Sequence, residues 1–282
     1  MKYLAAAIFF NTPRALSEQE IADVIRLFVN AAKWAVEAGF DGVQIHAAHG
    51  YLVSQFLSPL TNKKTDQWGG SLENRARFLF RLIEGIQSVL KPDSIVSIKL
   101  NSADFQKGGF DEKDAEWVIN QLNGMEVDLL ELSGGNYESP AMIDNKGNSR
   151  EAFFIEFAEK AKRIATMPVM VTGGFKSRPG IVSALESGAV DAVGLAKPFI
   201  IEPELPLKMM SGKLEAVHWP VKKLKNQAFN SLSQMGWAKA QLERLGEGKE
   251  VNLKLGTIRN LMMTIIKSEI KNRKYRRWLQ TI

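Results

Sequence analysis

His46, His49 and Tyr51 form the densest group of chemistry-bearing side chains in this 282-residue sequence. The chain holds three histidines in all, and His218 lies far downstream. Val43 to Ile45, just before the group, reads as a short buried strand, so the cluster falls at a strand end. Three readings are open on these residues alone. A metal site would need a third ligand, yet no obvious acidic one lies nearby and no His-Glu-x-x-His pattern occurs. Core histidines would need hydrogen-bond partners already in place. A substrate-facing edge would have the imidazoles donating to an oxygen while the phenol supplies a proton.

Other strand ends carry further candidates. Lys99 and Asn101 follow a second apolar run, Ser133, Gly134 and Gly135 a third, Gly173 and Gly174 a fourth, and Ala196 and Lys197 a fifth. Gly173, Gly174 and Lys197 make the anion site: glycines let backbone N–H groups approach a phosphate, the next helix offers its positive end, and a cation neutralises the rest. Lys99 reads either as a strand-end lysine reaching solvent or as a cation beside an electron-rich ring.

The elements that position these groups follow from pattern. Ser17 with Glu20 predicts a capping box, and Ile21, Val24, Ile25, Phe28, Ala31, Ala32 and Ala35 recur at helical spacing up to Gly39. Ser71 predicts the start of a helix over 72–91, and Asp111 caps one that runs to Leu122. Strands are expected at 43–46, 95–100, 127–132, 169–172 and 192–195. Between them lie helices over about 151–166 and 179–187, with a polar, irregular stretch at 58–70. Strand and helix therefore alternate as parallel βαβ units. The alternation fits a doubly wound sheet or part of a (β/α)8 barrel, and in both the ligand lies at the carboxyl ends of the strands. Beyond Pro203 the pattern is helical, with 204–210, 227–245 and 258–272 the main segments.

Composition narrows the classes. Without cysteine, disulfides, thiolate zinc sites, iron–sulfur clusters and cysteine nucleophiles are all excluded, and a cytoplasmic location is expected. The balance of 37 basic and 31 acidic residues gives +6. Much of the excess sits at Lys267, Lys271, Arg273, Lys274, Arg276 and Arg277. This run reads first as a solvated helix end and only second as a nucleic-acid or membrane contact. The apolar start, Met1 to Phe10, lacks a clear cleavage site and reads as a buried segment or a ragged start. No run approaches the ~18 apolar residues of a membrane span.

The run Ala38-Gly39-Phe40-Asp41-Gly42-Val43-Gln44-Ile45-His46-Ala47-Ala48-His49-Gly50-Tyr51-Leu52 resembles the signature of the old yellow enzyme family, the FMN-dependent NADH:flavin oxidoreductases. So do Gln55 to Asn62, Thr65 to Arg75, Lys99-Leu100-Asn101-Ser102, Val171-Thr172-Gly173-Gly174-Phe175 and Val193 to Pro198. The likeness spans roughly residues 13 to 210. It implies a (β/α)8 TIM barrel with FMN at its mouth, reduced by NADH or NADPH and passing hydride to an α,β-unsaturated carbonyl. By the same resemblance His46 and His49 hold the acceptor's oxygen, and Tyr51 protonates its α-carbon. Lys99 faces the flavin's pyrimidine edge, while Gly173, Gly174, Ala196 and Lys197 hold its phosphate.

Two departures bear on this. Family members usually carry Gly-Arg where this chain has Ala196-Lys197, which keeps the charge and loses bidentate geometry. The five strands match the family's fourth to eighth, so a partial barrel is expected over 1–215, with a helical extension over 216–282. Two parallel edges would then be unpaired. A homo-oligomer or a complementing N-terminal segment would cover them. The rival expectation is a non-catalytic remnant that needs such a partner to fold and bind FMN. Acceptor specificity is expected in the loops 105–110 and 136–148.

Overall fold

The structure is a computed structural model that describes residues 13–135, 154–220, 224 and 227–279. The apolar start and the loop 136–148 therefore lie outside the described residues. In chain order the elements are α1 (Glu18–Glu37), β1 (Gly42–Ala47), α2 (Leu52–Leu57), α3 (Leu72–Gln87), β2 (Ile95–Asn101), α4 (Glu112–Leu122) and β3 (Leu129–Ser133). There follow α5 (Ile155–Ile164), β4 (Val169–Thr172), α6 (Arg178–Glu186), β5 (Ala192–Gly194), α7 (Lys197–Ile201), α8 (Leu205–Met210), α9 (Gln227–Gly246) and α10 (Thr257–Leu279).

The sheet order is β1-β2-β3-β4-β5, and β1 to β4 pair parallel. Each crossover steps the same way, so the order never reverses. A doubly wound sheet requires a reversal and a barrel does not. The partial (β/α)8 reading is therefore the correct one of the two alternatives that the sequence pattern allowed.

Local chemistry explains where the helices begin. Ser17 Oγ accepts from the Glu20 N–H at 3.2 Å, and Glu20 Oε2 accepts from the Ser17 N–H at 2.8 Å, completing the expected box. Ser71 and Asp111 cap α3 and α4 as expected, each side chain accepting an N–H three residues on. The sequence pattern did not anticipate α2 and α7, because six and five residues are too short to show a helical period. Asn62 bridges the stretch after α2: its Nδ2 donates to Phe56 O at 2.8 Å and to Trp68 O at 2.7 Å.

The chain divides into two compact units. The first takes the described residues up to 135, with 154–172 and 187–192; the second takes 173–186 and the described residues from 193 onward.

In the first unit the strand register sorts the side chains into two faces. Ile45, Ile98, Leu130 and Val169 form one row; Ala47, Leu100, Leu132 and Val171 form the next. All eight are buried, and each large one contributes about 1.5–3 kcal/mol by leaving water. The alternate rows point to the other face and are mostly polar: Gln44 and Ser97 with Leu129, then His46, Lys99 and Glu131 with Met170, then Asn101 with Ser133. A repeated aspartate starts the strands. Asp128 Oδ2 accepts from the Val96 N–H and Asp191 Oδ2 from the Val169 N–H, both at 2.7 Å, so each ties a strand start to its neighbour.

In the second unit Leu205, Met209 and Val217 form a small core with Ile181, Leu195, Ile201 and Leu214 packed on it. The α9–α10 connection is held by Gln241, fully buried, which exchanges two hydrogen bonds of 2.9 Å with the Asn252 backbone. No helix among the described residues is long and apolar enough to cross a membrane.

Candidate active site

In the first unit the ends of β1, β2 and β3 bring His46, His49, Asn101 and Ser133 together. His46 Nδ1 accepts from the Ala48 N–H at 3.2 Å. The neutral ring must then carry its proton on Nε2, which makes that nitrogen a donor. The His46 ring meets His49 and Tyr51 edge-on, with centroids 5.1 and 4.8 Å apart.

His49 is held on both sides. Its N–H donates to Asn101 Oδ1 at 3.1 Å, and its Nε2 lies 2.7 Å from Ser133 Oγ. The backbone there has φ of 62°, a left-handed conformation uncommon for a non-glycine residue. Asn101 is buried and spends its amide protons on Asp104 Oδ1 and Gly135 O, at 3.3 and 3.1 Å. Gly134 completes the floor: a Cβ at this position would meet Phe105 at 2.7 Å, Phe154 at 2.8 Å and Ser102 Oγ at 2.9 Å. Tyr51 sits at the start of α2 with 48% of its surface exposed.

The charges of this face are paired within the sheet. Lys99 Nζ donates to Glu131 Oε1 at 2.6 Å. Burial pushes the Glu131 carboxyl up, but the Lys99 hydrogen bond, with those of Thr172 and Gln44 and the Lys99 charge, holds it net below its usual value. The histidines shift the other way. Burial first, then the Lys99 charge, lowers His46, against a smaller opposing pull from Glu131. The same causes, joined by His46, bring His49 to about 4. Both rings are therefore neutral at pH 7. Among the described residues no group of three His, Cys, Asp or Glu side chains is placed to hold a metal ion.

Residue types alone did not point to Glu131, Ser133's contact with His49, or the Asn101–Asp104 link. Their signal was present in the alternation: Ile98-Lys99-Leu100-Asn101 and Leu130-Glu131-Leu132-Ser133 share one apolar–polar period, which a search for buried strands passes over.

In the second unit Gly173 and Gly174 have φ of 125° and 87°, conformations that strain any side chain and leave the backbone open. Ala196 precedes α7, and Lys197 Nζ donates to Gln234 Oε1 at 3.0 Å while lying 5.4 Å from the centre of the Trp219 ring. Neither Gln234 nor Trp219 is a strand-end residue, so the sequence pattern passed over both. A cleft of about 500 Å³ between α1 and α3, lined by Trp68, Arg81 and Glu84 among others, includes none of the strand-end groups.

An unreversed parallel order with hydrogen-bonding groups at the strand ends defines an α/β chain of the (β/α)8-barrel class. Comparison with known proteins gives the family. The chain belongs to the NADH:flavin oxidoreductase / NADH oxidase family, whose sequence model matches residues 2–215. It is 41% identical over 217 residues to the NADH-dependent flavin oxidoreductase nadA of Aspergillus parasiticus, covering 75% of this chain and 48% of that protein. Among solved structures it is similar to 2-naphthoyl-CoA reductase in complex with 2-naphthoyl-CoA, at 32% identity and a TM-score of 0.67, over 71% of this chain and 30% of that one. Morphinone reductase in complex with tetrahydroNAD matches at 29% identity and a TM-score of 0.60, over 75% and 54% of the two chains. The chain thus spans about half the length of nadA.

Proposed function

We propose that this chain carries the acceptor-facing and phosphate-facing groups of an NADH- or NADPH-dependent flavin oxidoreductase that reduces an α,β-unsaturated carbonyl or related small molecule. One observation carries the reading: His46 Nδ1 is occupied by the Ala48 N–H, so a neutral, half-buried imidazole presents Nε2–H as a donor beside Tyr51. That is the arrangement needed to steady an oxygen that gains negative charge.

The residues fit FMN on their own chemistry. In the second unit Trp219 Nε1 is buried and has no hydrogen-bond partner among the described residues, beside the ammonium of Lys197. A phosphate oxygen is an acceptor of the kind that this indole N–H takes. Gly173, Gly174, Ala196 and Lys197 would hold that phosphate and Lys99 the pyrimidine edge. When bound, FMN supplies hydride exchange between a nicotinamide and the acceptor. The protein's own work is then threefold. His46 donates Nε2–H to the acceptor's carbonyl oxygen, and His49 assists from its seat on Asn101 and Ser133. Tyr51 delivers a proton to the α-carbon as enolate charge collapses. Glu131 balances the Lys99 charge beneath them.

Residues 1–215 form the FMN-binding part in this reading and 216–282 a helical extension; a cytoplasmic setting and a homo-oligomer or a complementing barrel segment belong to the same proposal. Nicotinamide binding finds support in the morphinone reductase–tetrahydroNAD likeness. The test is the visible spectrum of the purified full chain before and after adding FMN. A flavin absorption that stays with the protein through desalting is expected; a protein that returns colourless contradicts the reading.

A further inference from the structure

In the second unit α10 turns an apolar stripe to solvent. Met262, Ile266 and Ile270 recur four residues apart and so share one face of the helix, with Ile265 beside them. Each of the four keeps between 49% and 59% of its surface exposed. The helix packs on α9 through other positions: Asn260 is buried, and Lys267 Nζ donates to Glu243 Oε2 on α9 at 2.6 Å. Four large apolar side chains grouped on one exposed helix face mark a contact surface.

The same face becomes basic one turn further on. Arg273 and Arg277 continue the stripe, eleven and fifteen residues from Met262, and Arg276 stands eleven residues from Ile265. From Met262 to Arg277 the face runs about 22 Å. Along its length α10 carries seven cationic side chains and one carboxylate, Glu269, which accepts from Arg273 Nε at 3.1 Å. Lys274, Arg276 and Arg277 are exposed in the turns beyond. Apolar groups followed by cations on one face fit a surface that is anionic on top and apolar beneath. Nucleic acid would take the cations and leave the apolar groups in water. A second copy would set the arginines against apolar carbon or against one another, depending on its direction.

We propose that α10 is an interfacial helix that seats the protein on an anionic lipid bilayer. Met262, Ile265, Ile266 and Ile270 enter the acyl boundary, while Arg273, Arg276 and Arg277 meet the lipid phosphates. The helix lies along the surface, since it is not apolar enough to cross. The inference goes beyond the flavin reading and uses none of its residues.

Flotation of the full chain with phosphatidylcholine vesicles, with and without phosphatidylserine, is the experiment. Binding is expected on the anionic vesicles, weakening as salt screens the cations, and about tenfold or more weaker on the neutral ones. Arg276→Gln together with Arg277→Gln should weaken anionic-vesicle binding about thirtyfold, about fivefold for each charge. Ile266→Gln together with Ile270→Gln should weaken it about tenfold or more, because less apolar surface enters the acyl boundary. All four positions are exposed, so unchanged melting curves are expected of both variants. The wild-type comparison stands without any substitution: a chain that stays off the anionic vesicles overturns the inference. Binding that ignores the isoleucine changes overturns it too, because the contact is then electrostatic alone. So does a wild type that binds duplex DNA and not vesicles, or one that stays off vesicles and self-associates through these isoleucines.

Discussion

Lys99 and Glu131 face each other across β2 and β3, ammonium to carboxylate at 2.6 Å, in the same cross-strand row as His46. The row is charge-neutral as a whole. Lys99 therefore orients by hydrogen bonding, and its field at the histidines is tempered by the carboxylate beside it. Removing one partner leaves the other uncompensated in a largely buried setting, which is costlier than removing both.

Glu131→Gln is accordingly expected to lower the His46 and His49 pKa values further, since the Lys99 charge that depresses them would act unopposed. Lys99→Met should raise them. Imidazole NMR titrations of the two variants check the opposite signs. Urea unfolding should show Glu131→Gln destabilised by about 3 kcal/mol.

His49 makes stability depend on pH. Its pKa falls from 6.5 to about 4 on folding, so between those values the unfolded chain binds a proton that the folded one refuses. Stability due to this group is complete above about 6.5, declines as pH falls toward about 4, and is flat below. His49→Asn should lose this component of the slope while keeping the fold, because asparagine accepts the left-handed backbone. Melting curves of the two proteins across this pH range make the comparison.

Arg75 on α3 is buried and donates to Leu57 O, to Gly70 O at 3.3 Å and to Asp114 at 3.4 Å. It ties the loop before α3 to α4. Arg75→Met should cost about 3 kcal/mol in urea unfolding. Burial already raises the Asp114 carboxyl, against the Arg75 charge that lowers it, so the variant should raise it further.

Gly134→Ala tests the site's floor. The added methyl meets two aromatic rings and a hydroxyl within 2.9 Å, so the loops after β2 and β3 must shift. A loss of about 1–3 kcal/mol is expected. The shift should also reduce the burial that lowers His49, visible as a His49 pKa moving back toward 6.5.

Much of this was legible before any coordinates. The capping residues Ser17, Ser71 and Asp111, the five strands and the cluster at His46, His49 and Tyr51 all announce themselves by type and spacing, because caps and strand-end polar groups are short-range signals. What was not legible depends on register. Glu131 is an ordinary glutamate in sequence, and only its position opposite Lys99 makes it part of the site. The same holds for Gln234, which reaches Lys197 across 37 residues of chain. The choice between doubly wound and barrel order also had to wait, since alternation alone is common to both.

In the proposed function the His46–Tyr51 edge serves the acceptor and not the nicotinamide. Rapid-mixing measurement of the two half-reactions of FMN-loaded Tyr51→Phe tests it most directly. Flavin reduction by NADH or NADPH should proceed as in wild type, while reoxidation by an enone should slow by about a hundredfold or more, the usual contribution of a positioned acid. Equal slowing of both half-reactions, or of neither, would contradict the claim.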